Sequence, residues 1–158
     1  FEFSLHNAGL DWRLEPAAGY QISLDNFVYQ SGTRSLRVQF DGTTNPDFTA
    51  VRQWIPVEPG RDYHFQAYIK TENISTDNGV YLELATQGAP AAESWVRTSE
   101  VRVGTIPWTA EQLDFRAGPA TRVVQVFLRR SQSTKLNNLL QGMVWLDHVS
   151  LTPRPDGR

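Results

Sequence analysis

Two carboxylates at opposite ends of the chain stand in apolar, strand-like surroundings: Glu2 within Phe1–Phe3 and Asp147 within Trp145–Leu151. An unpaired charge is costly to bury in such a pattern. Because the chain termini of a domain often lie close together, we expect these carboxylates to share one cation. The expected ion is calcium, which prefers oxygen ligands. The loop Gln30–Thr33 could add main-chain carbonyls. The alternative is that Glu2 is simply exposed and Asp147 caps a turn.

A second set of residues suits carbohydrate chemistry. In four apolar blocks, alternation sends one aromatic side chain and its polar neighbours to the outward face. Such rings can stack on the C–H faces of pyranoses, while amides, carboxylates and guanidinium groups bind hydroxyls. Burial of any single ring under a loop or a neighbouring domain is the alternative. If the four strands share a sheet, the predicted ligand site is one strip containing Arg52, Trp54, Gln66, Tyr68, Tyr81, Glu83, Phe127 and Arg129.

The sequence offers little for catalysis. None of the three histidines lies in a recognisable nucleophile motif such as Gly-x-Ser-x-Gly. The nearest candidate for a catalytic carboxylate pair is Glu83 with Glu93 or Glu100, and spacing along the chain does not fix their separation. We therefore predict a protein that is not an enzyme and has no catalytic residues.

The elements that must position these residues are β-strands. Short blocks alternate with a period of two and are separated by turn sequences such as Asp41-Gly42 and Glu58-Pro59-Gly60. Residues Ser133–Gln141 could form one short helix or an ordered loop. The pattern predicts an all-β protein, a jelly-roll β-sandwich of two antiparallel sheets. The blocks are Tyr20–Leu24, Ser35–Phe40, Val51–Val57, Tyr63–Lys70, Val80–Ala85, Gln112–Phe115, Val123–Arg129 and Met143–Leu151.

Length and composition restrict the function classes. The 158 residues suit one domain, predicted over 1–152, with 153–158 as a tail or linker. A net charge of −2 gives no broad attraction for nucleic acid or anionic membranes, and no apolar run is long enough to predict membrane insertion. The absence of cysteine excludes disulfides, thiolate zinc sites and a cysteine nucleophile. Because the chain starts at Phe1 inside a strand-like pattern, we expect an excised domain or processed fragment.

Several motifs in order resemble the carbohydrate-binding modules of families four and nine and their galactose-binding-like relatives. Two further segments, Asp11-Trp12-Arg13 and Thr71–Gly79, resemble domains attached to bacterial tetratricopeptide-repeat proteins. The motifs shared with the modules are Phe1-Glu2, Gln30–Leu36, Pro59-Gly60 followed by Tyr63–Lys70, Gly104-Thr105-x-x-Trp108, and Trp145-x-Asp147-x-Val149-x-Leu151.

The resemblance implies a structural calcium ion held by the side chains of Glu2 and Asp147 and by the main-chain carbonyls of Gln30 and Thr33. A further family ligand would lie upstream of Phe1, and the family's second acid after Asp147 is replaced here by a histidine. The domain type also implies a secreted, periplasmic or cell-surface location. The sugar-binding aromatics of such modules vary in position, so the predicted strip rests on alternation alone.

The sequence therefore predicts a non-catalytic carbohydrate-binding accessory domain with a structural calcium site. Its expected partners are a polysaccharide or oligosaccharide and the other domains of a parent protein. The first alternative is a structural or protein-interaction domain of a larger repeat protein that keeps the fold without binding sugar. The second is a polysaccharide-degrading jelly-roll enzyme.

Overall fold

Ten β-strands carry the fold in the computed structural model, which describes residues 1–155. A single 3₁₀ turn at Ala91–Glu93 is the only helical element in that range. The strands are β1 (Arg13–Leu14), β2 (Tyr20–Asp25), β3 (Ser35–Asp41), β4 (Phe48–Pro56), β5 (Asp62–Ile74), β6 (Tyr81–Gln87), β7 (Val96–Thr98), β8 (Gly104–Arg116), β9 (Val123–Arg130) and β10 (Gln141–Pro153).

The strands form two five-stranded sheets in which every pairing is antiparallel. The front sheet has the order β1-β4-β9-β6-β7, and the back sheet has the order β2-β3-β10-β5-β8. The chain crosses repeatedly between the sheets, as in a jelly roll. The predicted fold class is confirmed.

Alternation along each strand builds the core between the sheets. Burying each large apolar side chain stabilises the fold by roughly 1.5–3 kcal/mol. The front sheet contributes, among others, Val51, Leu82, Leu84, Val124, Val126 and Leu128. The back sheet contributes Leu36, Val38, Phe40, Phe65, Ala67, Ile69, Val144 and Leu146.

All eight predicted strand blocks are strands, whereas three stretches were missed: β1, β7 and the first half of β8. β1 and β7 have two and three residues, which is too short for a period to be visible. The first half of β8 contains Pro107 at a sheet edge, where proline is tolerated, and its alternation is poor. Residues 133–140 form a loop that leads into β10, which begins at Gln141. Of the two possibilities for this segment, a short helix or a loop, the loop is therefore observed.

Candidate functional site

Three of the four predicted aromatic side chains lie on the outer face of the front sheet. Phe127 of β9 pairs with Arg52 of β4 on one side and with Glu83 of β6 on the other. Trp54 lies two residues further along β4, and Tyr81 lies two residues back along β6. Diagonal neighbours in a sheet are about 7–8 Å apart. The three rings therefore form a diagonal strip across β4, β9 and β6, the front strip.

The Trp54 end of the front strip is rich in arginine. The guanidinium of Arg13 lies 5.6 Å from the centre of the Trp54 ring, and that of Arg52 lies 5.8 Å from it. Both Nη atoms of Arg52 donate to the carboxylate of Glu15. The hydrogen bond from Arg52 lowers the pKa of Glu15. This end thus offers a half-buried indole with two cationic groups beside it.

The middle of the front strip alternates charges around a half-buried phenyl ring. Glu83 lies 3.6 Å from Nε of Arg129, whose Nη2 is 3.5 Å from Asp47. These side chains are hydrogen-bonding groups placed beside Phe127, a combination that suits a ligand with an apolar face and polar edges.

The Tyr81 end opens into a cavity of about 250 Å³ with a neutral lining. The Tyr81 hydroxyl is 3.0 Å from Oγ of Ser131. Hydroxyl, amide and small apolar groups together can bind sugar hydroxyls without a fixed charge. The lining residues are Asn78, Gly79, Tyr81, Thr98, Ser99, Val101 and Ser131.

The prediction of one strip is wrong for Tyr68 and Gln66, because β5 belongs to the back sheet. Both side chains are half-buried and face outward, as alternation indicates, but on the opposite side of the sandwich. Tyr68 contacts the His148 ring edge-on at 5.8 Å, and Gln66 accepts a hydrogen bond from Gln112. Alternation identifies the face of a strand and leaves its sheet undetermined.

The three carboxylates considered for catalysis are each held by a separate partner. Glu83 lies beside Arg129, whereas Glu93 accepts a hydrogen bond from the amide of Ala120. Glu100 forms an ion pair with Arg102. The partner of Glu83 is therefore Arg129 and neither of the two glutamates, Glu93 and Glu100, that were considered as the second carboxylate of a catalytic pair.

Glu2 and Asp147 both accept hydrogen bonds from one loop, Gln30–Thr33, Asp147 at its start and Glu2 at its end. Oδ2 of Asp147 accepts hydrogen bonds from the amides of Gln30 and Ser31 at 2.8 and 3.0 Å. Glu2 accepts hydrogen bonds from the amide and the hydroxyl of Thr33, and the hydroxyl bond lowers the pKa of Glu2. The loop turns at Gly32, with φ +67°, where an added Cβ would lie 2.2 Å from Oε1 of Glu2.

Two details of that expectation need correction. Phe1–Phe3 is not a strand, and Glu2 is exposed, so of these two carboxylates only that of Asp147, at 2% exposure, is buried. The N-terminal segment is instead attached through Arg34, which donates to the main-chain carbonyls of Phe1 and Glu2 at 2.6 Å. Hydrogen bonding rather than strand pairing thus brings Glu2 to the loop.

The donor atoms at this loop fit a hard cation. A carboxylate has about four lone-pair sites, and three hydrogen bonds to Asp147 leave one of them for a metal ion. Oε1 of Gln30 is buried without a hydrogen-bond partner. Within residues 1–155 no three His, Cys, Asp or Glu side chains gather as a metal site, so amide and main-chain oxygens would have to complete the coordination.

Sequence reasoning missed several residues of the front face. Arg13 and Glu15 were overlooked because β1 is only two residues long. Asn78 and Ser131 lie in loops, where alternation gives no information. The tryptophan at position 54, two residues after Arg52, was the one usable signal.

The fold resembles solved carbohydrate-binding modules. No family model and no curated protein matches the chain. The family 22 xylan-binding domain of a Paenibacillus barcinonensis xylanase aligns with a TM-score of 0.61 and 10% identity over 96% of this chain and 89% of that one. A family 4 carbohydrate-binding module aligns with a TM-score of 0.56 and 12% identity over 95% and 92%.

A third structure places the same fold inside a longer protein. A Clostridium thermocellum xylanase fragment, which joins a family 22 module to a catalytic module and was solved with xylohexaose, aligns with a TM-score of 0.61 and 12% identity. This chain covers 91% of its own length but only 26% of that one. At these identities the likeness shows the fold: a jelly roll of the carbohydrate-binding-module type. No helix within residues 1–155 is long and apolar enough to cross a bilayer.

Proposed function

We propose that this protein is a non-catalytic carbohydrate-binding domain whose ligand lies along the front strip. The observation that carries the proposal is the diagonal of Trp54, Phe127 and Tyr81, half-buried on one open sheet face with arginine, glutamate and hydroxyl groups between the rings. Rings at such spacing offer successive apolar platforms, and the polar groups between them can bind sugar hydroxyls.

The solved neighbours support the same class of ligand. Two of them are described as xylan-binding domains or were solved with xylohexaose, and they share this fold at low identity. Polysaccharide or oligosaccharide is therefore the proposed partner.

Binding is tested by affinity electrophoresis against a panel of soluble polysaccharides, followed by calorimetry on those that retard the protein. Removing a half-buried ring costs about 1–2 kcal/mol of binding, or roughly five- to thirty-fold in Kd. We expect this loss for Trp54→Ala and Phe127→Ala, with melting temperatures close to that of the wild type. Tyr68→Ala is the matched aromatic variant on the back sheet and should bind normally. No retardation by any polysaccharide, or a loss confined to Tyr68→Ala, would contradict the proposal.

We further propose that the Gln30–Thr33 loop binds a structural calcium ion through Glu2, Asp147, Gln30 and Thr33. The support is the convergence of two carboxylates from opposite chain ends and the unpartnered Gln30 Oε1. Calcium at one hundred times its Kd would stabilise the fold by about 2.7 kcal/mol. At roughly 2–4 °C per kcal/mol, the melting temperature rises by about 5–11 °C.

The calcium test compares melting in EDTA with melting in excess calcium. Asp147→Asn should lose the calcium-dependent rise, whereas Asp114→Asn, an exposed carboxylate on β8, should retain it. Equal melting temperatures of the wild type in EDTA and calcium would reject the metal site, and the amide hydrogen bonds would then account for the burial of Asp147.

The accessory role is also proposed. A domain-sized chain that covers a quarter of a modular xylanase fragment is consistent with one unit of a larger protein. A secreted, periplasmic or cell-surface location is likewise proposed, on the basis of the domain type. The finer resemblances, to families four and nine and to domains of bacterial tetratricopeptide-repeat proteins, remain predictions.

A protein-interaction domain without sugar binding is the second candidate. It is favoured by three large apolar side chains that lie outside the front sheet and are almost fully exposed to solvent. These are Phe3, Phe27 and Leu136, whose relative exposures are 85%, 94% and 105%. An empty polysaccharide panel together with self-association in sedimentation experiments would support it.

A further inference from the structure

The Trp54 end of the front strip holds two arginines that oppose each other directly. Arg13 and Arg52 are register partners in the β1–β4 ladder, so their side chains leave the same face. Like charges in this arrangement destabilise a sheet. Glu15 binds Arg52 alone, through both Nη atoms. One positive charge therefore remains at this corner.

Arg13 is fixed in place without a carboxylate. Its Nη atoms donate to the main-chain carbonyls of Asn7 and Gly9, and its Nε is buried with no hydrogen-bond partner. No residue between 1 and 155 forms an ion pair with it. Its position beside the indole of Trp54 is therefore set by packing and neutral acceptors, and its charge is free to attract an anion.

We propose that this corner, formed by Arg13, Arg52 and Trp54, binds the carboxylate of a uronic acid, so that the ligand of the front strip is an acidic polysaccharide. The inference rests on the proposed sugar binding and adds a substrate class to it. Guanidinium groups match carboxylates in shape and charge, and the indole can stack on the uronic acid ring. The opposite end at Tyr81 has a neutral lining, so the acidic sugar lies at the Trp54 end only.

The direct test is calorimetry with glucuronoxylan and with the same polymer after its carboxylates have been reduced to alcohols. The acidic form should bind about two- to five-fold more tightly, as expected for one exposed ion pair. Raising the salt concentration from 50 to 500 mM should weaken that preference. Equal binding of both forms would overturn the inference and leave the proposed function standing.

Substitutions of single charged residues test whether the preference for the acidic polymer depends on charge at this corner. Arg13→Gln should weaken binding of the acidic form more than binding of the reduced form, so that the preference for the acidic form is lost. Arg97→Gln is the matched control, since Arg97 stacks on a different indole, Trp95, at 5.5 Å and the variant alters net charge equally. Glu15→Gln should act in the opposite direction, because it adds a second uncompensated positive charge and should tighten binding of the acidic form two- to five-fold.

The outcomes are distinguishable from failure of the proposed function. If Arg13→Gln unfolds, the gain in Glu15→Gln still decides the matter, because Glu15 is exposed. A preference that persists in Arg13→Gln, or no gain in Glu15→Gln, would overturn the inference. Failure of both polymers to bind would also overturn it, and an empty polysaccharide panel would reject the proposed function as well.

Discussion

Replacing Arg130 should destabilise this protein more than replacing any exposed arginine. The Arg130 side chain is fully buried at the end of β9, at 0% exposure. Its guanidinium donates five hydrogen bonds, to the carbonyls of Pro46, Asn78 and Asn138 and to the side chains of Asn45 and Thr76. These acceptors belong to three loops, those between β3 and β4, β5 and β6, and β9 and β10. Burial lowers the pKa of Arg130, and the charges of Asp77 and Asp47 oppose that shift.

The magnitude follows from the acceptors that a neutral side chain would leave unpaired. Each buried acceptor left without a hydrogen bond costs about 1–3 kcal/mol of stability. Relaxation of the loops and entry of water reduce the total cost. For Arg130→Met we expect a loss of about 3–5 kcal/mol out of a typical 5–15 kcal/mol. The melting temperature should fall by roughly 6–20 °C. Arg130→Lys, which retains charge but has three donors and no planar fork, should lose about 2–3 kcal/mol.

The assay is urea denaturation with linear extrapolation, read by tryptophan fluorescence. Arg116→Met is the control, because the Arg116 side chain is 67% exposed in an ion pair with Asp62 and should contribute less than about 1 kcal/mol. Hydrogen exchange in the three loops should accelerate in Arg130→Met before global unfolding. A free energy of unfolding within about 1 kcal/mol of the wild type would refute the view that this side chain holds the loops together.

Two further predictions concern stability. Burial raises the pKa of Asp25, but hydrogen bonds, led by that from the Trp145 indole at 2.9 Å, bring it below its usual value. Ionised Asp25 therefore stabilises the fold fully above about pH 4, and this contribution is lost as the pH falls through the folded pKa. Asp25→Asn should lose about 1–3 kcal/mol at pH 7 and show a flatter acid-denaturation profile, whereas an unchanged profile would contradict this. Gly142→Ala should be more destabilising than Gly60→Ala in urea denaturation. Both glycines have positive φ, but only at Gly142 would an added Cβ lie 2.5 Å from a main-chain oxygen, that of Asn73. Equal losses of stability in the two variants would contradict this steric explanation.

The sequence predicts strands and their inward faces best where the alternation of apolar and polar residues extends over a whole strand. Residues such as Phe65, Ala67 and Ile69 alternate with polar neighbours over a whole strand, and both the strand and its inward face were predicted correctly. Alternation depends only on the local chain, so it carries no information on which strands become neighbours. That is why Tyr68 was assigned to the same strip as Trp54, although their strands lie in different sheets.

The carboxylate pair shows the opposite case, in which a long-range contact was predictable. Glu2 and Asp147 do reach one loop, because Thr33 donates to the Glu2 carboxylate while the amides of Gln30 and Ser31 donate to that of Asp147. The chemistry that attaches them was not visible, since amide donors and Arg34 depend on loop conformation rather than on residue type alone. The corner formed by Arg13, Arg52 and Trp54 was missed for a similar reason. Arg13 lies beside Arg52 only because of the register between β1 and β4, which the sequence alone does not show.

Strand β9 connects stability to the front strip. Consecutive residues of this strand point in opposite directions, so Arg129 joins the outer face beside Glu83 while Arg130 enters the sandwich. Arg130 holds the carbonyl of Asn78, and Asn78 lines the cavity at the Tyr81 end. The neutral end of the strip is therefore positioned by a buried cation in the same strand that presents Phe127. A loss of that cation should perturb the Tyr81 end before the Trp54 end, because only the former shares a loop with it.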